Sequence, residues 1–250
     1  IYDQKQRRLI LARDHIGKKP LYYCLKNNGN LVFASEIKSI LEYPGIRRDV
    51  DPEALDFFLT LEYVPAPYSI LAAVKKLPAG HMLVYENGKA AISEYWDVQP
   101  GGSRRGFSAA REEFLALLEE SVRMRMISDV PLGAFLSGGI DSSAIVAAMA
   151  KISAIPIKTF SIGFEEKSYS ELPYSRLVAA KFKTDHQEKI LSADIHSLVM
   201  QLAANLDEPL GDFSNFPTYL VSRLAREKVT VALSGDGGDE IFGGYEHYLA

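Results

Sequence analysis

The sequence predicts an α/β protein in two parts, a β-rich N-terminal part and a C-terminal part built on a parallel sheet. Two observations carry this. After residue 107, short apolar runs alternate with amphipathic helical patterns, which implies βαβ crossovers and a sheet buried on both faces. Before residue 97, short β-type runs are separated by turn signals such as Asn27-Asn28-Gly29-Asn30 and Glu86-Asn87-Gly88. Between them lies Asp97 to Gly106, polar with proline and glycine, which suits an exposed linker. Domains are therefore expected at 1–97 and 107–250.

In the N-terminal part, strands are expected at Arg8 to Arg13, Pro20 to Leu25, Leu31 to Ala34 and His81 to Tyr85. Glu36 to Leu41 and Pro52 to Thr60 have helical character. The second has Asp51 as N-cap and Pro52 at the first helical position, where a missing N–H costs nothing. In the C-terminal part, Ser108 is expected to cap a helix through about Ile127. Phe114, Leu115, Leu118, Val122 and Met126 recur at helical spacing and should bury one face. Strand Leu132 to Leu136, a glycine loop and a helix to about Lys151 follow. Then come strand Ile157 to Ile162, helix Pro173 to Phe182, a short strand near Gln187 to Leu191, helices around Asp194 to Asn205 and Pro217 to Arg226, and strand Val229 to Leu233.

A chain of 250 residues, 47% hydrophobic, can bury at least one core, and its net charge of −4 gives no reason to expect a nucleic-acid surface. It contains neither a secretory apolar region near its start nor a stretch long enough to cross a bilayer, so no membrane partner is expected and the default location is cytoplasmic. Cys24 is the single cysteine; it follows Leu21-Tyr22-Tyr23 and reads as a buried inert thiol. The five histidines show no metal-ligand spacing and read as surface or satisfied groups. Beginning at Ile1 without methionine and stopping at Ala250 inside an expected helix, the chain reads as an internal piece of a longer protein.

Leu136-Ser137-Gly138-Gly139-Ile140-Asp141-Ser142-Ser143 places two glycines and three hydroxyls between an apolar run and a helical pattern. Glycines let successive N–H groups point inward as an anion nest, and the following helix turns its positive end to the same point. Asp141 would be repelled by a polyphosphate unless a divalent cation lay between them, so the loop reads as phosphate plus Mg²⁺. The Walker lysine spacing is absent, which argues against an ordinary γ-phosphate grip.

Ser234-Gly235-Asp236-Gly237-Gly238-Asp239-Glu240 repeats this logic after another apolar strand. Taken alone it would equally be an ordinary surface turn. Paired with the first loop it points to one shared nucleotide site, because ligands of parallel sheets collect beyond the carboxyl ends of the strands. Asp236 and Asp239 could hold Mg²⁺ on a pyrophosphate, or Asp236 could position a reacting group.

At these residues the chain resembles the glutamine-hydrolysing asparagine synthetases. Ser137 to Ser143 matches the S-G-G-x-D-S-S loop of ATP pyrophosphatases, and Leu233 to Tyr245 resembles the family's second nucleotide and substrate loop, with Asp207-Glu208-Pro209 before it. Upstream, Leu11 to Tyr23 and Phe33 to Lys38 are similar to the end of the class II glutaminase domain, and Tyr63 to Pro67 and Lys76 to His81 to its junction segment. The resemblance implies a Rossmann-like ATP pyrophosphatase (adenine nucleotide alpha hydrolase-like) domain following the β-rich end of an αββα N-terminal-nucleophile glutaminase domain.

It further implies a ligase that adenylates the side-chain carboxylate of aspartate with ATP and Mg²⁺ and lets glutamine-derived ammonia displace AMP. Phe135, Ile162, Ser234 and Gly235 would contact the adenosine part; Ser137, Gly138, Gly139, Ser142 and Ser143 would hold pyrophosphate. Asp141 and Asp239 would bind the metal, and Asp236 would support the acyl-adenylate step as the catalytic residue. The full-length protein would work on small molecules, as a homodimer. The family's nucleophilic cysteine and its basic synthetase residue lie outside this chain, so the segment alone is expected to be at most an ATP-binding remnant. Two alternatives stand beside this reading, a related ligase acting on another carboxylate, such as a β-lactam-forming or surface-polysaccharide enzyme, and a non-catalytic nucleotide-binding module. Asp212, Ser214 and Asn215 could line the acceptor pocket or form a plain loop with helix-capping residues.

Overall fold

The computed structural model describes the chain except residues 100, 103–105, 166–169, 192–194, 246–247 and 249–250. Two compact units are present: residues 1–102 with 199–212, and residues 103–198 with 213–250. Among the described residues no helix is long and apolar enough to cross a membrane.

The first unit holds β1 (Tyr2–Asp3), β2 (Arg8–Ala12), β3 (Tyr22–Leu25), β4 (Leu31–Ala34), α1 (Ile37–Leu41), α2 (Pro52–Leu61), β5 (Lys75–Lys76), β6 (His81–Glu86) and β7 (Lys89–Glu94). These strands form two antiparallel sheets, ordered β1-β2-β6-β7 and β4-β3-β5. Leu11, Leu77 and Leu83 centre one apolar cluster, and Tyr22, Cys24, Ile37, Ile40 and Val74 another. Burial pushes the Cys24 thiol up, so it stays an unreactive core group. Asp51 caps α2 as its position in sequence predicts, accepting from the N–H groups of Glu53 at 3.0 Å and Ala54 at 3.3 Å. β7 is not anticipated from its composition. It forms because Asn87 and Gly88, with φ of 50° and 76°, make a two-residue turn whose twist lays Lys89–Glu94 along β6.

In the second unit α3 (Phe107–Arg125) precedes β8 (Leu132–Phe135), α4 (Ile140–Ile152), β9 (Lys158–Phe164), α5 (Leu172–Phe182), β10 (Asp185–Leu191), α6 (Ile195–Asn205), α7 (Asn215–Arg226), β11 (Val231–Leu233) and α8 (Gly238–Phe242). The last part of α6 counts with the first unit. All four strands are parallel, in the order β10-β9-β8-β11. Side chains alternate across this sheet. Ala134 and Leu136 join Val122, Val146, Met149, Ile157 and Ala179 on one face, while Phe135 packs with Phe160, Val221, Leu224, Ala225 and Val229 on the other. Helices therefore cover both faces, the arrangement that the apolar strands β8 and β11 require.

Three expectations are corrected here. α3 begins at Phe107 behind Gly106, so Ser108 lies inside the first turn and does not cap it. Val122 is buried and Leu118 and Met126 partly so, yet Phe114 and Leu115 are 39% and 54% exposed; only the C-terminal half of the periodic face joins the apolar cluster around α4, while Phe114 meets Phe242 edge-on at 5.1 Å. The short helix α8 replaces what reads in sequence as a continuous acidic loop.

Candidate functional site

The order β10-β9-β8-β11 fixes where a ligand of this sheet belongs. From β8 the chain winds outward through β9 to β10, then returns to place β11 on the other side of β8. The chain leaves β8 toward β9 on one side and comes back from β10 to β11 on the other, so the strand order reverses between β8 and β11, and the crevice outside the carboxyl ends at such a topological switch point is where open α/β sheets bind ligands. Both glycine-rich loops open into it.

The first loop is tied from within. Leu136 donates its N–H to the carbonyl of Phe160 at 2.9 Å, and the Ser161 hydroxyl donates to the carbonyl of Leu136. Ser142 Oγ lies 2.9 Å from Ser137 Oγ and accepts the Gly138 N–H at 3.3 Å, while Ser137 Oγ accepts the Gly139 N–H at 3.2 Å. Gly138 is required twice over: its φ is +95°, and a Cβ there would stand 2.5 Å from the backbone nitrogen of Ser175 at the start of α5.

Two features of the loop leave polar groups open to a further partner. Helix α4 starts behind Gly139, which has no side chain to cap it, and its first backbone bond within this turn runs from Ser143 N–H to Gly139 C=O at 3.0 Å. The N–H groups of Ile140, Asp141 and Ser142 thus lie outside the helical ladder, at the positive end of the helix dipole. Ser143 Oγ is buried without a protein partner. An unpaired buried hydroxyl costs about 1–3 kcal/mol, so it marks a place where a further acceptor fits.

In the second loop Asp236 is exposed and accepts the Ser234 hydroxyl at 2.8 Å. Gly237, with φ of +97°, turns the chain into α8, whose first turn carries Asp239 and Glu240. Glu240 is held below the usual carboxylate range by its own backbone N–H and by the Tyr245 hydroxyl, which donates to it at 2.9 Å. That same bond pushes the Tyr245 phenol up to about 12.

The loops meet at Asp141. A Cβ added to Gly235 would lie 2.8 Å from Asp141 Cβ and from Ser142 N, and one added to Gly238 would lie 2.6 and 2.7 Å from the two carboxylate oxygens of Asp141. Gly238 is the residue that the sequence reading passes over; a second glycine beside an acidic pair is its only local signal. Asp239 follows it directly in α8. Phe135 and Ile162 stand on adjacent strands and pack partly buried against the Phe160 cluster, while Ser234 and Gly235 follow β11. Ser214 stands at the N-cap of α7 without capping it through its side chain.

No three His, Cys, Asp or Glu side chains form a metal cluster among the described residues. Mg²⁺ needs none, since it is commonly held by one or two carboxylates together with substrate phosphates. Of the histidines, His15 stacks on Trp96 at 4.6 Å and His81 Nδ1 lies 2.7 Å from the Ala79 carbonyl. His186 departs from the expectation of a satisfied group: Nδ1 bonds Thr159 Oγ1 at 2.9 Å, but Nε2 is buried without a hydrogen-bond partner. The His196 side chain and His247 lie outside the described residues.

Comparison with known proteins matches both units. The asparagine synthase family model covers residues 113–250, and the glutamine amidotransferase domain model covers residues 1–96. A Methanocaldococcus jannaschii protein provisionally named as glutamine-hydrolyzing asparagine synthetase 2 is 41% identical over 100% of this chain and 49% of its own length. Glutamine-hydrolyzing asparagine synthetase 1 of Bacillus subtilis is 36% identical over 99% of this chain and 39% of its own. Asparagine synthetase B of Escherichia coli is 26% identical over 99% and 43%. The chain thus spans half or less of these relatives' length.

Proposed function

The chain belongs to the asparagine synthase family, and from that premise we propose that the full-length protein carrying it converts L-aspartate, glutamine-derived ammonia and ATP into L-asparagine, AMP and pyrophosphate through a β-aspartyl-AMP intermediate. One observation supports this most directly: the Asp141 carboxylate is seated against Gly235 and Gly238, so the loops after β8 and β11 face one ligand at the switch point. In this reading residues 1–97 are the end of a glutamine amidotransferase domain with its junction, and 107–250 the first portion of the synthetase domain.

The free N–H groups at the start of α4 and the backbone of Gly138 and Gly139 grip the β- and γ-phosphates that leave as pyrophosphate, with Ser137, Ser142 and Ser143 as hydroxyl donors. Ser143 Oγ has no competing protein partner and gains the most from that contact. Phe135, Ile162, Ser234 and Gly235 flank the adenosine part. Asp141 and Asp239 hold Mg²⁺, which when bound neutralises charge gathering on the phosphates. Asp236, exposed at the mouth of the crevice, supports the acyl-adenylate step. The net charge of −4 suits a protein that works on small molecules in the cytoplasm without nucleic-acid or membrane partners, and a homodimer is the assembly we propose.

The test is product analysis on the full-length protein with amide-labelled glutamine, MgATP and a panel of carboxylates. Labelled asparagine appearing with equal AMP and pyrophosphate is the expected result. AMP formed only with another carboxylate would transfer the reading to a related ligase, and MgATP binding without AMP from any carboxylate would make the site a binding module.

A further inference from the structure

Residues 199–212 lie in sequence between the start of α6 and α7, both of the second unit, yet they pack with the first. Directed polar contacts hold this strap. Asp207 accepts the backbone N–H groups of Ile37 at 3.0 Å and Lys38 at 3.3 Å, and so caps α1, whose own N-cap residue Glu36 makes no side-chain capping bond. Glu208 Oε1 accepts the Ile70 N–H at 2.8 Å, and Oε2 lies 2.6 Å from Lys76 Nζ with both side chains largely buried. Lys38 Nζ reaches the Asn205 carbonyl at 3.0 Å, and Gly211 donates to the Glu62 carbonyl at 2.8 Å.

The contact between Glu208 and Lys76 also borders open space. A cavity of about 330 Å³ is lined by Tyr22, Tyr63, Val64, Lys76 and residues 205–210, and a second of about 250 Å³ shares Tyr22, Tyr63, Val64 and Lys76 with it. Lys76 Nζ further donates to the Val64 carbonyl, and the Tyr22 hydroxyl reaches Glu208 Oε2 at 3.4 Å. A change in what fills these cavities therefore meets the lysine and carboxylate that pin the strap, and the strap runs on without a break into Phe213 and α7. Ion pairs and charge-assisted bonds of this kind have discrete made and broken states, which apolar packing alone does not.

We infer that Glu208 is a positioning residue, locked by Lys76, whose role is to keep the use of glutamine-derived nitrogen in step with the synthetase chemistry by fixing the strap that continues into α7. The inference rests on the proposed synthetase reading. Neither residue belongs to the phosphate-gripping loops, so loss of the pair should spare the chemistry itself.

The experiment compares ammonia-supported with glutamine-supported AMP formation in the full-length protein and its Glu208→Gln and Lys76→Met variants. We expect ammonia-supported turnover to stay within about twofold of the parent and glutamine-supported turnover to fall about tenfold or more in both variants, with Lys76→Arg close to the parent. Both rates falling together, or neither changing, overturns the inference. Should Glu208→Gln fail to fold, Glu208→Asp, which keeps the charge but shortens its reach, is read by the same ratio. Parent protein inactive with either nitrogen source would instead overturn the proposed function.

Discussion

The carboxylate of Asp141 occupies the place where a side chain of Gly238 would begin, with Oδ2 2.6 Å and Oδ1 2.7 Å from the position of such a Cβ. Glycine at 238 is thus a condition for Asp141 to stand between the two loops. Gly235 sets a second condition on the backbone side, since its Cβ would meet Ser142 N at 2.8 Å.

Gly238→Ala should displace the Asp141 carboxylate with little loss of fold, because a side-chain terminus can swing aside. Gly235→Ala meets backbone and should cost about 1–3 kcal/mol of stability, in the range of overpacked sites. Both should weaken MgATP binding about tenfold or more by equilibrium titration. Unchanged affinity in both variants would separate Asp141 from the nucleotide.

Gly138→Ala combines a left-handed backbone with a collision against Ser175 N. Strain of about 1–3 kcal/mol is expected from the conformation alone. Urea unfolding should show the midpoint lowered, and a midpoint equal to the parent's would mean that the loop does not hold this geometry in solution.

His186 sits below its ordinary pKa of 6.5, first because it is buried and also because Arg176 is near; Glu188, 3.9 Å from Nε2, offsets part of this. A depressed folded value means that the unfolded chain binds the proton more readily. The stability contributed by neutral His186 is then complete above about pH 6.5 and is lost as pH falls through the folded value. Melting temperatures between about pH 7 and about pH 5 should decline less steeply in His186→Gln than in the parent; parallel slopes would rule out His186 as the source.

Asp51→Ala removes the cap of α2 and the partner of Lys75 Nζ at 3.3 Å. Loss of such a cap costs about 0.5–2 kcal/mol. Asp51→Asn, which can still accept the two N–H bonds, should recover most of it in thermal unfolding. Equal loss in both variants would assign the effect to the ion pair.

What was legible in the sequence was local. The cap at Asp51 and the loop from Ser137 to Ser143 each declare themselves within one or two turns of chain, and β8, β9 and β11 announce themselves by apolar runs between amphipathic helices, whereas β10 is largely polar. Phe114 and Leu115 mislead because periodicity names a face without naming what covers it. Strand β7 escapes because its place comes from the turn at Asn87-Gly88 and from β6, not from its own residues. Glu208 and Asp207 are visible as a motif, but their partners Lys76 and Ile37 become neighbours only after folding. Gly238 shows its purpose only when Asp141 is beside it.

The capping of α1 by Asp207, 170 residues further along, has a consequence for how the chain can be made and divided. A polypeptide emerging from the ribosome in sequence order must release the first three strands of the parallel sheet before α1 receives its cap and Lys76 its counter-ion. The amino-terminal unit cannot mature ahead of the rest as N-terminal domains ordinarily do. Cutting the gene at the glycine-rich linker would accordingly yield a piece whose α1 has lost its cap and whose Lys76 has lost its counter-ion.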